Sequence, residues 1–238
     1  MGGLAVDDDG NAYLSLMNQD KVQVYAESGK LLREWGRRGA GDGELRQPGG
    51  IVLAPGGTVY VADQGNHRVQ MFDTEGKFRG KWGEYGSGPG QFGGNETKGS
   101  RFGGPHFLAR DSKGRIYTTE GTMGRVQQFS PDGKPLLAWG DKGDQPGGFG
   151  AFKAGFSKNS LGPIGVFVDR KDRVCVSSLN DRVQLFTTRG EFLLGLGGTG
   201  EDSGRFARPH GMAIDSKGYF FVADAGNQRI QKFEIADP

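Results

Sequence analysis

Short runs of four to six residues, either continuously apolar or alternating apolar with polar, recur along the whole chain between clusters of Gly, Asn, Asp and Pro. Within residues 48–83 these runs are 50–53, 58–63, 68–72 and 78–83, separated by turn formers at 55–57, 64–67 and 74–76. Period-two alternation bounded by turn residues predicts β-strands, and four of them on short connections predict one antiparallel meander. The third run repeats as a basic residue, Val or Ile, Gln, a variable residue and an aromatic. Its copies are Lys21-Val22-Gln23-Val24-Tyr25, Arg68-Val69-Gln70-Met71-Phe72, Arg125-Val126-Gln127-Gln128-Phe129, Arg182-Val183-Gln184-Leu185-Phe186 and Arg229-Ile230-Gln231-Lys232-Phe233. Their Val or Ile positions are spaced 47, 57, 57 and 47 residues apart.

The fourth runs end at Trp35, Trp82, Trp139 and Leu196, in the same phase. A large apolar residue recurring once per unit is expected to pack between neighbouring sheets. A four-stranded sheet cannot bury both of its faces alone, so several stack around an axis. The predicted fold is an all-β propeller in a single domain, 1–238, with blades near 1–36, 48–83, 104–140, 162–197 and 209–238. The last blade is expected to lack its outer strand. The expectation is therefore about five blades of a six-bladed ring, with unpaired blade edges that would invite self-association.

Several segments resemble the NHL repeat family: Pro209-His210-Gly211-Met212-Ala213-Ile214-Asp215, then Phe221-Val222-Ala223-Asp224, then Gly226-Asn227-Gln228-Arg229-Ile230. The inter-unit loop Gly86-Ser87-Gly88-Pro89-Gly90-Gln91-Phe92 is of the same type. The resemblance implies a six-bladed propeller. It leaves function open, because propellers of this family serve as protein-binding modules, RNA-binding modules and, in some relatives, enzymes.

Composition narrows the partners. Thirty basic and 28 acidic side chains leave a net charge of only +2, so nothing draws the whole chain to nucleic acid or an anionic membrane. Arg33, Arg37 and Arg38 read as a solvated rim. The single cysteine, Cys175, lies in an apolar run and reads as a buried small hydrophobe. No apolar run is long enough to span a membrane, and Met1-Gly2-Gly3 leads into a strand rather than a signal peptide. The expectation is a soluble chain of unassigned compartment. The Gly-rich runs 39–43 and 195–200 open no helix and are not phosphate cradles. Asp7-Asp8-Asp9-Gly10 reads as an aspartate turn, and Asn95-Glu96-Thr97 is a glycosylation sequon relevant only to a secreted protein.

In a propeller meander the inter-blade loop and the turn between second and third strands share one face. The two 57-residue spacings put their ten extra residues into the loops 84–104 and 141–162, so this face carries the candidate chemistry. All three histidines fall on it. His106 and His210 occupy the same slot after a Pro, while the other units hold Gly2, Gly49 and Ile164 there. Imidazoles from alternate blades are candidate metal ligands, or caps bonded to neighbouring carbonyls. His67 lies in a second turn. Glu120 stands where Asp63 and Asp224 stand in other units, Asn180 and Asp181 occupy a turn one residue shorter, and Phe149, Phe152 and Phe156 punctuate a Gly-rich insert.

The ring is also similar to peptidyl-hydroxyglycine amidating lyases, six-bladed propellers in which channel histidines from alternate blades hold zinc. That resemblance implies His106 and His210 as two zinc ligands, with the third falling on Gly2, which cannot coordinate. No complete catalytic set is present. The leading expectation is a non-catalytic scaffold binding a protein or peptide through the loop-bearing face, and the alternative is a zinc-dependent lyase or a relative of one. RNA binding through a basic mouth, marked by a steep salt dependence, ranks third.

Overall fold

A computed structural model describes residues 2–93, 103–150 and 162–234. Apart from a short parallel pair in one inter-blade loop, Tyr85–Gly86 with Phe92–Gly93, the strands form five antiparallel meanders. Four are four-stranded: Gly3–Val6, Ala12–Leu16, Lys21–Tyr25 and Leu31–Trp35; then Pro48–Ala54, Thr58–Asp63, Arg68–Phe72 and Phe78–Trp82; then Leu108–Arg110, Ile116–Glu120, Arg125–Phe129 and Pro135–Trp139; then Pro163–Val168, Val174–Ser178, Arg182–Phe186 and Phe192–Gly197. The fifth has three strands, Pro209–Ile214, Tyr219–Asp224 and Arg229–Glu234. The first strands of consecutive blades pack on one another, and the five together line a central channel of about 590 Å³. The chain is an all-β propeller, as its periodicity predicts.

The repeat signature decomposes into packing and tethering. Its Val residues, Val22, Val69, Val126 and Val183, are fully buried and face the following blade. Opposite them across the third and fourth strands stand Trp35, Trp82, Trp139 and Leu196. Each indole reaches the next blade, where its ring centroid lies 5.9 Å from Phe72, Phe129 or Phe186. The turn glycines Gly76, Gly133 and Gly190 lie against these indoles, and a Cβ at Gly133 would come within 2.5 Å of Trp82. Leu45, Phe92, Phe149 and Phe206, one per inter-blade loop, close the four wedges between blades and are all fully buried. Cys175 is buried in the last wedge, where desolvation pushes its thiol up to about 12.

Hydroxyls tie the inner strands together. Ser15 Oγ accepts from Gly3 N at 2.6 Å and donates to Gly49 O in the next blade. Thr119 Oγ1 accepts from Phe107 N and donates to Ile164 O at 2.6 Å, and Ser177 Oγ accepts from Gly165 N and donates to His210 O at 2.5 Å. The second blade has Ala62 there, and Gly50 N donates directly to His106 O at 2.7 Å. Among the described residues no comparable packing joins the fifth blade to the first. Leu4 and Val6 on the first blade and Ile230 on the fifth are 54%, 59% and 72% exposed. No helix of the described residues is long and apolar enough to cross a membrane.

Candidate functional site

The loop-bearing face is organised by a buried carboxylate at the end of the second strand. Asp63 accepts from Arg68 Nε at 2.7 Å, Gln70 Nε2 at 2.9 Å, Asn66 Nδ2 and the backbone N–H of Arg46. The rest of the Arg68 guanidinium donates to the carbonyls of Ala40, Gly41 and Glu44 in the preceding inter-blade loop. Blade five repeats this around Asp224 with Arg229, Gln231, Asn227 and the N–H of Ala207. Blade three repeats it around Glu120, which accepts from Arg125 at 2.8 Å, Gln127 at 2.7 Å and the N–H of Gly93. Glu120 is fully buried, so the longer side chain serves as a loop tether.

In blades one, two and four the αL residue that closes the turn, Asp20, His67 or Asp181, reaches the other way, toward the following loop. Asp181 (φ 64°) accepts from Thr199 Oγ1 at 2.6 Å and from the N–H of Arg208. His67 (φ 56°) is 2% exposed, with its Nδ1 3.0 Å from Gly103 O and its ring edge-on to Tyr85. Asn180 accepts a bond from Ser178 Oγ, while its Nδ2 has no partner among the described residues. Phe149 is fully buried against Trp139 and Phe186, in the wedge between blades three and four. Phe152, Phe156 and the sequon at 95–97 lie outside the described residues.

His106 and His210 lie near enough for the charge of one to disfavour the other. Burial, reinforced by His210, pulls the His106 imidazole down to about 4. His210 is lowered by desolvation and by Arg208. His106 is buried and stacks 5.6 Å from Phe107, whereas His210 is exposed. The backbone carbonyls of both slots bond the preceding blade. The described donors do not fit a zinc centre. Among the described residues no three His, Cys, Asp or Glu side chains gather, and a Cβ at Gly2 would lie 2.3 Å from Pro48 O. The third slot thus has neither a donor nor room for one.

Sequence reasoning misses Thr122, a buried threonine in the blade-three turn whose Oγ1 has no partner among the described residues. The available signal is its alignment with Gly65 and Gly226 in the other two turns of the carboxylate type.

The NHL repeat family profile matches residues 45–72 and 206–233, each running from a wedge residue to the aromatic of the third strand. The chain is a β-propeller that carries NHL repeats at these two sites. Residues of this chain are 44% identical over 41 positions to the E3 ubiquitin-protein ligase TRIM71 of Xenopus tropicalis, a match covering 17% of this chain and 5% of that protein. The virginiamycin B lyase of Staphylococcus aureus superposes with a TM-score of 0.62 at 18% identity, covering 99% of this chain and 70% of the lyase. Kuenenia stuttgartiensis hydrazine synthase superposes with a TM-score of 0.64 at 17% identity, covering 98% and 64%. At such identities the likeness shows a shared fold alone.

Proposed function

We propose that this NHL-repeat propeller is a non-catalytic scaffold whose loop-bearing face binds a protein or peptide segment. The observation that carries the reading is the use made of the recurrent polar side chains. Arg68, Arg125 and Arg229 each bind a buried carboxylate and at least two carbonyls of the preceding loop. Their chemistry is spent on holding loops in place, which presents a surface organised before any partner arrives. Arg46, Arg208 and His210 are exposed on this face. A cleft of about 200 Å³ between Asn18, Asp20, Arg38, Arg46 and Gln47 offers a side-chain pocket there. Exposed arginines suit an acidic segment. The repeat shared with a ubiquitin-protein ligase supports a protein as the ligand.

The test is selection of displayed peptides on the immobilised chain, followed by affinity measurement against an Arg46→Glu/Arg208→Glu variant. Recovered peptides are expected to be acidic and to lose at least tenfold in affinity (about 1.4 kcal/mol) in the variant. Failure to recover peptides, or binders indifferent to both arginines, overturns the reading. Tight, steeply salt-dependent binding of an RNA oligomer lost in the same variant would replace it with nucleic-acid recognition.

A further inference from the structure

Every blade presents a basic residue and a glutamine two positions apart on its third strand, and in four blades both meet one carboxylate. Asp63, Glu120 and Asp224 supply it from the end of the second strand. Blade one has Leu16 at that position and takes its carboxylate from the rim strand instead. There Glu34, opposite Gln23, accepts from Lys21 Nζ at 3.0 Å and from Gln23 Nε2 at 2.8 Å. These donors, the Gln23 amide foremost, hold the Glu34 carboxyl below its ordinary range.

Blade four keeps the pair and lacks the carboxylate. Ser178 ends its second strand opposite Arg182, and Gly195 stands on the rim strand opposite Gln184. Among the described residues Arg182 forms no ion pair, and its side chain makes one hydrogen bond, from Nη1 to the carbonyl of Asp144. Gln184 Nε2 donates to Gly148 O at 2.7 Å. Its second hydrogen has no acceptor among the described residues, whereas in the other four blades this amide reaches a carboxylate. With no side chain at Gly195, a notch of about 280 Å³ opens beside the pair, walled by Pro146, Phe192 and Leu196. The backbone does not demand a glycine here. Its φ lies outside the left-handed region, and a Cβ would meet nothing closer than Phe192 Cζ at 3.6 Å.

We propose that this notch binds a carboxylate, that of a glutamate side chain on a protein partner. A guanidinium and an amide N–H converging on one place are a charge-assisted cradle for a carboxylate. Blade one shows a glutamate held by the equivalent pair. The space admits a side chain and is smaller than the clefts that enclose whole cofactors. Phe192 and Leu196 offer apolar cover to the methylenes of the incoming residue. The notch shares no residue with Arg46, Arg208 or the cleft beside Arg46, so it stands or falls apart from the reading of the loop-bearing face.

The probe is the blocked tripeptide acetyl-Gly-Glu-Gly-amide, titrated onto the isotope-labelled whole chain while the side-chain N–H signals of Arg182 and Gln184 are followed by NMR. Saturable shifts of both are expected, with at least tenfold weaker binding of the acetyl-Gly-Gln-Gly-amide analogue. Gly195→Glu, which offers the pair a carboxylate as Glu34 does in blade one, should abolish the response while the melting temperature stays level or rises. Arg182→Gln should abolish the Gln184 shift, and Arg46→Glu/Arg208→Glu should leave both shifts unchanged. Equal binding of the glutamine analogue, a response that survives Gly195→Glu, or no saturable shift at Gln184 would overturn the proposal. Acetate or inorganic phosphate binding as tightly as the glutamate peptide would overturn the protein partner in favour of a free anion.

Discussion

Arg68 Nε lies 2.7 Å from Asp63 Oδ2, and the pair is almost wholly removed from solvent, with 7% and 0% of the two side chains exposed. Two charges taken out of water at this geometry do not guarantee net stability, but removing one partner leaves the other buried and unpaired. Asp63→Ala is accordingly expected to cost about 3–5 kcal/mol in urea unfolding. Asp8→Ala, on an exposed turn, should stay within about 0.5 kcal/mol of the parent. Similar costs for the two would remove Asp63 from its place as loop tether.

Acid should reveal His106. Its imidazole titrates near 4 in the folded state against an ordinary 6.5, because burial disfavours the charged ring. The unfolded chain binds this proton first, so the stabilising contribution is complete above pH 6.5 and is lost as pH falls toward 4. The loss amounts to about 3 kcal/mol across that window. Unfolding curves of His106→Gln should show a correspondingly flatter dependence between pH 6.5 and 4, and an NMR titration should find His106 neutral at pH 5.5. A midpoint near 6.5 would contradict the buried placement.

Phe149 provides a test of wedge against ligand surface. Phe149→Ala removes a fully buried ring from between Trp139 and Phe186, with an expected destabilisation of about 3–5 kcal/mol. Affinity for peptides selected on the loop-bearing face should be unchanged at temperatures where the variant stays folded. An unaltered melting curve with lost binding would restore Phe149 to the ligand surface.

Two glycines separate backbone strain from collision. Gly56 (φ 83°) has nothing within 4 Å of a would-be Cβ, so Gly56→Ala should cost only the left-handed conformation, about 1–2 kcal/mol. At Gly83 (φ 94°) the same atom would meet the Phe92 ring at 2.4 Å. Gly83→Ala should therefore lose clearly more, and Phe92→Leu in the same chain should recover part of the difference. Equal losses at the two sites would mean that the wedge yields freely.

Much of this was legible in one dimension. Strand phase, blade spacing and the inter-sheet role of Trp35, Trp82 and Trp139 follow from alternation and period, because those are local properties of a repeating sheet. Tethering was not legible, since Arg68 and Gln70 act on a loop 24 to 28 residues earlier in the chain. The blade-four turn misleads as well. It is one residue shorter, and pairing of Ser178 with Arg182 puts a serine where blades two, three and five hold a carboxylate. Asp181 then binds the following loop. Phe149 reads as a ligand-facing residue from its Gly-rich surroundings alone. Leu45, Phe92, Phe149 and Phe206 nevertheless recur at 47, 57 and 57 residues, which carries the wedge assignment.

Because each wedge residue sits on the connecting segment and is buried between two blades, the cooperative block of this protein is offset from the sequence repeat. A domain boundary drawn through an inter-blade loop would divide an apolar seam and expose both halves, whereas a cut at a solvent-facing turn such as 55–57 leaves every seam whole. Circular permutants opened at such a turn should therefore keep a single sharp transition, and duplication or grafting of repeats should move seams intact, each with the two half-sheets that close it.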